Sequence, residues 1–128
     1  MANPNLIILY VANAPVSRAF YADLLKREPL EETINFAMFA LDSGLLLGVW
    51  AHDKVEPAIT SIGSGSELVF SVDTDSEVEA THRDWAARGL PIVQAPVHMD
   101  FGYTFVALDP DGHRLRMFAA TPAQGTAQ

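Results

Sequence analysis

At 128 residues, 49% hydrophobic and 19% charged, the chain has the size and apolar content of one compact domain, which excludes a disordered polymer. A formal net charge of −8 with dispersed acidic residues disfavours nucleic acid and anionic membrane as partners, since both call for clustered Lys and Arg. The chain has no cysteine, which rules out disulfides, thiol nucleophiles and thiolate metal sites. No apolar run reaches the ~20 residues of a membrane span, and the opening Met1-Ala2-Asn3-Pro4-Asn5 lacks a basic leader region, so a cytoplasmic location is expected.

Residues 5–11 form an apolar run with β-branched residues and Tyr10, which predicts a strand. Asn13 offers a cap for a helix that starts near Ala14-Pro15, proline being favoured in a first turn. Val16, Phe20 and Leu24 follow at helical spacing as its apolar stripe, and Pro29 is expected to stop it. Residues 30–33 predict a weak strand and 35–41 a stronger one, then Asp42-Ser43-Gly44 a hairpin turn and 45–51 the closing strand. The first module is therefore expected over 5–52. A polar linker with Pro57 and two glycines occupies 53–66.

The second module, expected over 67–119, repeats the plan. Residues 67–73 predict a strand, and Thr74-Asp75-Ser76-Glu77 offers a capping box, with Ser76 and Glu79 as an alternative frame. Val78, His82 and Trp85 lie on one face of the following helix, which makes Trp85 a core residue, and Gly89 marks the helix end. Strands are predicted at 91–97, 103–108 and 113–119, with His98, Met99 and Phe101 in a loop before the second of these. Residues 120–128, rich in Pro, Gly, Ala and Gln, read as a flexible tail. Each module thus reads β-α-β-β-β. A shared phrase, Ala40-Leu41-Asp42-Ser43-Gly44 and Ala107-Leu108-Asp109-Pro110-Asp111-Gly112, supports two copies of one unit.

Paired β-α-β-β-β units, Phe20-Tyr21 on the first helix and Asp109-Pro110-Asp111-Gly112 before the last strand resemble the vicinal oxygen chelate superfamily. That group includes glyoxalase I, extradiol dioxygenases and bleomycin resistance proteins. Within it the chain is most similar to the phenazine antibiotic resistance proteins, through residues 5–11, Gly48-Val49-Trp50, Gly102-Tyr103-Thr104-Phe105 and the run from Asp109 to Arg116. The resemblance implies an α+β fold in which two βαβββ modules form a concave mixed sheet, with helices on one face and a ligand cavity on the other.

Strand alternation then sorts the side chains. Ile7, Leu9 and Val11, Leu47 and Val49, Leu68, Phe70 and Val72, and Leu115 and Met117 are expected to face the helices. Tyr10, Trp50, Glu67, Arg116 and Phe118 fall on the other face. Metal-dependent members carry ligands at positions that match Leu6, Gly48, Glu67 and Arg116 here. Leucine and glycine offer no donor atom and arginine repels a cation, so no metal and no other cofactor are expected.

The ligand site implied by the resemblance comprises Trp50, a plane for stacking an aromatic ligand, with Phe36 and Met38, and, from the second module, Glu67, His98, Tyr103, Arg116 and Phe118. Phe36, Met38, Tyr103 and Phe105 are read as equivalent strand positions. Glu67 and Arg116 form either a plain salt bridge or a charge-assisted pair that bonds the ligand, and Trp50 either stacks on ligand or packs at a dimer seam. No nucleophilic triad, glycine-rich phosphate loop or paired metal-ligand spacing is present, and no catalytic residue is assigned. The expected function is sequestration of a flat, phenazine-like antibiotic without turnover, by a homodimer whose only other partner is that small molecule. The alternatives are a small enzyme of the same fold that uses Glu67, His98 or His52, and a carrier of another aromatic metabolite.

Overall fold

A computed structural model describes residues 2–61 and 65–121. The chain divides into two compact units, Met1–Gly63 and Ser64–Gln128, each an α+β assembly of one helix on a four-stranded mixed sheet. Most of the expected tail, and residues 62–64 of the expected linker, lie outside the described residues.

In the first unit, β1 (Leu6–Val11) leads into α1 (Ala14–Leu25), then β2 (Glu31–Glu32), β3 (Phe36–Ala40) and β4 (Leu46–Ala51), followed by a 3-10 turn at His52–Lys54. The sheet order is β1-β4-β3-β2. β1 and β4 run parallel, with Leu6 beside Leu46 and Tyr10 beside Trp50. β3 and β4 form the hairpin expected around Asp42-Ser43-Gly44, closed at Gly44 with φ +95°. The Asn13 side chain caps α1 by accepting from the Val16 amide at 3.0 Å.

Two expectations for α1 change. The helix ends at Leu25, because Lys26 adopts the left-handed conformation (φ 55°), ahead of Pro29. The buried face is Ala14, Ser17 and Tyr21, whereas Val16 is 52% exposed. Hydrophobicity alone does not set this face. Small side chains at 14 and 17 let the helix backbone approach β3 and β4, and Tyr21 then buries its ring completely. Arg27 ties the end of the helix to the hairpin, donating to the Ala40 carbonyl and pairing with Asp42 at 3.0 Å.

The second unit repeats the topology with β5 (Glu67–Val72), α2 (Asp75–Ala87), β6 (Ile92–Met99), β7 (Gly102–Leu108) and β8 (Arg114–Ala120), in sheet order β5-β8-β7-β6. β5 and β8 are parallel. The Thr74–Glu77 frame forms the capping box, and Glu79, freed from that role, accepts from Tyr103 instead. Val78 and Trp85 are buried, and the Trp85 ring meets Phe70 and Phe105 edge-on at 5.5 and 5.4 Å. β6 runs two residues beyond its predicted end, so His98 and Met99 belong to a strand and only Asp100-Phe101 turns the chain. Gly102 is obligatory there: at its φ of +153° a Cβ would lie 2.1 Å from the Ala119 carbonyl oxygen.

Burial follows the alternation on β4 and β8, where Leu47, Val49, Leu115 and Met117 are core residues. Ile7 departs from it at 41% exposure. β1 is an edge strand and α1 packs over β3 and β4, so the outer part of β1 has no helix above it. Among the described residues no helix is long and apolar enough to cross a membrane.

The two hairpins fix how the modules correspond. Leu41 bonds Leu45 and Gly44 bonds Leu41 in one, and Asp109 bonds His113 and Gly112 bonds Asp109 in the other. Leu41 therefore answers to Asp109, one residue away from the alignment that the shared phrase suggests. Phe36 accordingly answers to Thr104, not Tyr103, and Met38 to Val106, not Phe105.

Asp109 anchors the second turn. Its carboxylate is buried and accepts from the Asp111 and His113 amides at 2.9 and 2.8 Å, while its other oxygen meets His113 Nδ1 at 2.7 Å. That hydrogen bond raises the His113 pKa above its ordinary 6.5; burial opposes the shift, and the charges of Asp109 and Asp111 assist it. A raised pKa contributes stability that is complete below pH 6.5 and is lost as pH rises through the folded-state value. Chemical denaturation between about pH 6 and about pH 9 is expected to show wild-type stability falling with pH more steeply than that of His113→Gln. Parallel pH profiles for the two proteins would remove this role.

Candidate functional site

In each unit one sheet face carries the helix and the other is open. The open face of the second unit is organised by Arg116, on β8. Its Nε and Nη2 donate to the two carboxylate oxygens of Glu67 at 2.8 and 3.1 Å. Its Nη1 donates to Gln94 Oε1 and Thr104 Oγ1, both at 3.2 Å. Thr104 is fully buried, and its hydroxyl donates to the Met117 carbonyl at 2.8 Å. The guanidinium is thus held by groups from the other three strands, and it lies 5.6 Å from the centre of the Phe101 ring. Phe101 in turn meets Phe118 edge-on at 5.8 Å.

Glu67 and Arg116 are not direct partners in the ladder, where Glu67 sits beside Arg114 and Val69 beside Arg116. The long arginine side chain spans the two-residue stagger. Its hydrogen bonds hold the Glu67 carboxyl below its ordinary pKa of 4.5, against a smaller opposing effect of burial, and the charges of Arg116 and Arg114 add to the lowering.

The open face of the first unit is apolar. Phe36 and Trp50 are cross-strand partners whose rings stand at 90° with centroids 6.2 Å apart. The Phe36 ring lies over Gly48: a Cβ on that residue would sit 3.3 Å from two ring carbons and 3.4 Å from Ile8 Cγ1. Met38 stands beside Gly48 on β3, and Trp50 is half-buried. Two aromatic planes at right angles make an apolar corner on this face, with the Phe36 ring packed down on Gly48.

Of the expected site residues, Phe36, Met38 and Trp50 share the open face of the first unit, and Glu67, Arg116 and Phe118 share that of the second. Tyr103 and His98 do not join them. Tyr103 donates to Glu79 of α2 at 2.8 Å, a bond that pushes its phenol pKa up, and so it lies on the helix face. His98 is its ladder partner, with ring centroids 4.5 Å apart and an approach of 3.9 Å to Asp75. Tyr103 follows from the misaligned repeat, where moving the register by one residue reverses the face, and His98 from a loop that the structure replaces with the end of β6. Phe105 likewise faces α2 and is buried. In their place the structure brings Thr104, Gln94 and Phe101 to Arg116. Thr104 is recoverable from the turn alignment. Gln94 is hidden because the β6–β7 register shifts on either side of it.

The four positions that the resemblance matches to metal ligands do not fit a divalent ion. Phe36 fills the space above Gly48, Leu6 has no donor, and the Glu67 carboxylate is taken by a guanidinium. Elsewhere, Asp109, Asp111 and His113 place ligand atoms within 4.8 Å of one another, where Asp109 serves the turn.

The family match accords with this architecture. Residues 3–117 match the Glyoxalase/Bleomycin resistance protein/Dioxygenase superfamily. The chain belongs to that superfamily. It is 30% identical over 117 residues to the phenazine antibiotic resistance protein EhpR of Enterobacter agglomerans, covering 89% of each chain. It is similar to the solution NMR structure of protein ATC0852 from Agrobacterium tumefaciens, at 45% identity and a TM-score of 0.86, over 94% of this chain and 99% of that one. A glyoxalase/bleomycin resistance protein/dioxygenase family enzyme from Burkholderia phytofirmans PsJN is 25% identical with a TM-score of 0.78, over 94% and 100% of the two chains.

Arg116→Met leaves Glu67, Gln94 and Thr104 without their common donor and is expected to cost about 1–3 kcal/mol in denaturant unfolding. Glu67→Gln keeps the shape and is expected to cost less. Because the Glu67 pKa is lowered, its contribution is present above pH 4.5 and is lost as pH falls through the folded-state value, so Glu67→Gln is also expected to flatten the acid limb of the stability curve. Wild-type stability in Arg116→Met would show that the network is not structural.

Proposed function

We propose that this protein binds and sequesters a flat aromatic antibiotic of the phenazine class, lowering the free drug concentration by mass action without turnover or metal. The observation that carries the reading is the corner formed by Phe36 and Trp50 over Gly48. A fused aromatic ligand needs a large apolar plane before any orienting polar group, and this corner supplies the plane. Similarity to a phenazine antibiotic resistance protein supports the choice of ligand class. Of the residues named for an enzyme of this fold, Glu67 and His98 suit proton transfer poorly. Glu67 is held as a carboxylate by Arg116, and His98 lies on the face away from Arg116.

Titration of the purified protein with phenazines and other planar antibiotics, read by calorimetry and tryptophan fluorescence, tests the reading. Saturable binding is expected, with the affinity for an uncharged planar ring weakened about tenfold in Trp50→Ala from lost stacking and burial. Trp85→Phe, on the helix side, is expected to retain binding. Unaltered affinity in Trp50→Ala, or chemical conversion of the ligand, would count against it.

The same reading includes a cytoplasmic homodimer. Leu6, Ile7 and Tyr10 are each about two-fifths exposed on edge strand β1, and apolar area of that kind suits a self-complementary interface. Light scattering behind size exclusion is expected to give the mass of two chains for wild type and of one chain for Ile7→Glu. A monomeric wild type rejects the dimer.

A further inference from the structure

Resting on that reading of the ligand class, we propose that the open face of the second unit selects planar aromatic ligands that carry an ionised carboxylate, and that Arg114 is the residue that reads it. The starting point is charge. The whole chain carries −8, yet on this face two guanidinium groups, Arg114 and Arg116, share the single carboxylate of Glu67. One positive charge is therefore left over.

That charge resides on Arg114. Arg116 is committed, with four of its N–H groups engaged by Glu67, Gln94 and Thr104 and its side chain only 16% exposed. Arg114 is 57% exposed, and its closest approach to Glu67 is 3.9 Å, beyond hydrogen-bond range. It retains a planar fork of donors, and the planar anion that matches such a fork is a carboxylate.

The remainder of the face supplies the aromatic part of the specificity. Arg114, Arg116 and Phe118 alternate along one side of β8, so the first and last are about 13 Å apart at the backbone. Between them lies the pinned guanidinium plane of Arg116, and beyond it the Phe118–Phe101 pair. A fused-ring acid can lie along this face against the Phe118–Phe101 pair and set its carboxylate at Arg114. A neutral ring of the same shape forfeits the charged contact, and a simple aliphatic acid forfeits the stacking.

Calorimetric titration with phenazine and with phenazine-1-carboxylate, on the full-length protein and on Arg114→Gln and Arg114→Lys, tests the inference. Wild type is expected to bind the carboxylate about tenfold more tightly than the neutral ring, the scale of a hydrogen bond to a charged group. In Arg114→Gln the ratio of the two affinities is expected to fall to about one. Arg114→Lys, which keeps the charge without the fork, is expected to retain part of it. Equal affinities in wild type, or an undiminished ratio in Arg114→Gln, overturn the inference and leave the sequestration reading standing. Failure of both compounds to bind overturns the two together. The exposure of Arg114 makes loss of fold in its variants a minor concern, and unchanged circular dichroism checks it.

Discussion

Each unit is closed by one parallel ladder, between its first strand and its last. The helix is the crossover that this ladder requires, and the two intervening strands can then add only outward from the last one. The order β1-β4-β3-β2, and its counterpart in the second unit, follow directly. The ladder also sets which side chains meet on the open face. Its stagger puts position 67 within reach of position 116 through a long side chain, and puts Ile8 against Gly48.

From that common frame the two open faces have taken opposite chemistries. In the first unit, glycine in the last strand admits a phenylalanine ring, and the surface becomes aromatic. In the second, arginine at the matching place draws a carboxylate, an amide and a hydroxyl around itself, and the surface becomes polar at its centre. A guanidinium so largely buried is tolerated because four of its donors are met. The same completeness makes Arg116 a fixed part of the architecture and leaves Arg114 as the adaptable one.

Much of this was legible in the residues. The caps at Asn13 and Thr74, the strand alternation that put Trp50, Arg116 and Phe118 opposite the core, and the assignment of Trp85 to the core all rest on local periodicity, and the structure agrees. The errors have one origin: information that is not local. The phrases around the two turns share letters, but hydrogen bonding aligns Leu41 with Asp109 and so displaces the repeat by one position. That displacement sent Tyr103 to the wrong face and concealed Thr104. The packed face of α1 was missed for a related reason, because Ala14 and Ser17 are favoured by the closeness of the sheet and not by their hydrophobicity. Gln94 depends on bulges in β6 that nothing in its neighbours announces.

The contact between Phe36 and Gly48 also bears on what position 48 can accommodate. Any side chain introduced at position 48 pushes against the ring of Phe36 at 3.3 Å, whatever that side chain could otherwise coordinate. A donor at this place becomes useful only after the aromatic ring has been trimmed, and trimming the ring alone dismantles the corner with Trp50. A ligating side chain at position 48 and an intact Phe36 ring therefore compete for the same space. The aromatic corner and the crowding of position 48 are two consequences of one ring over one glycine.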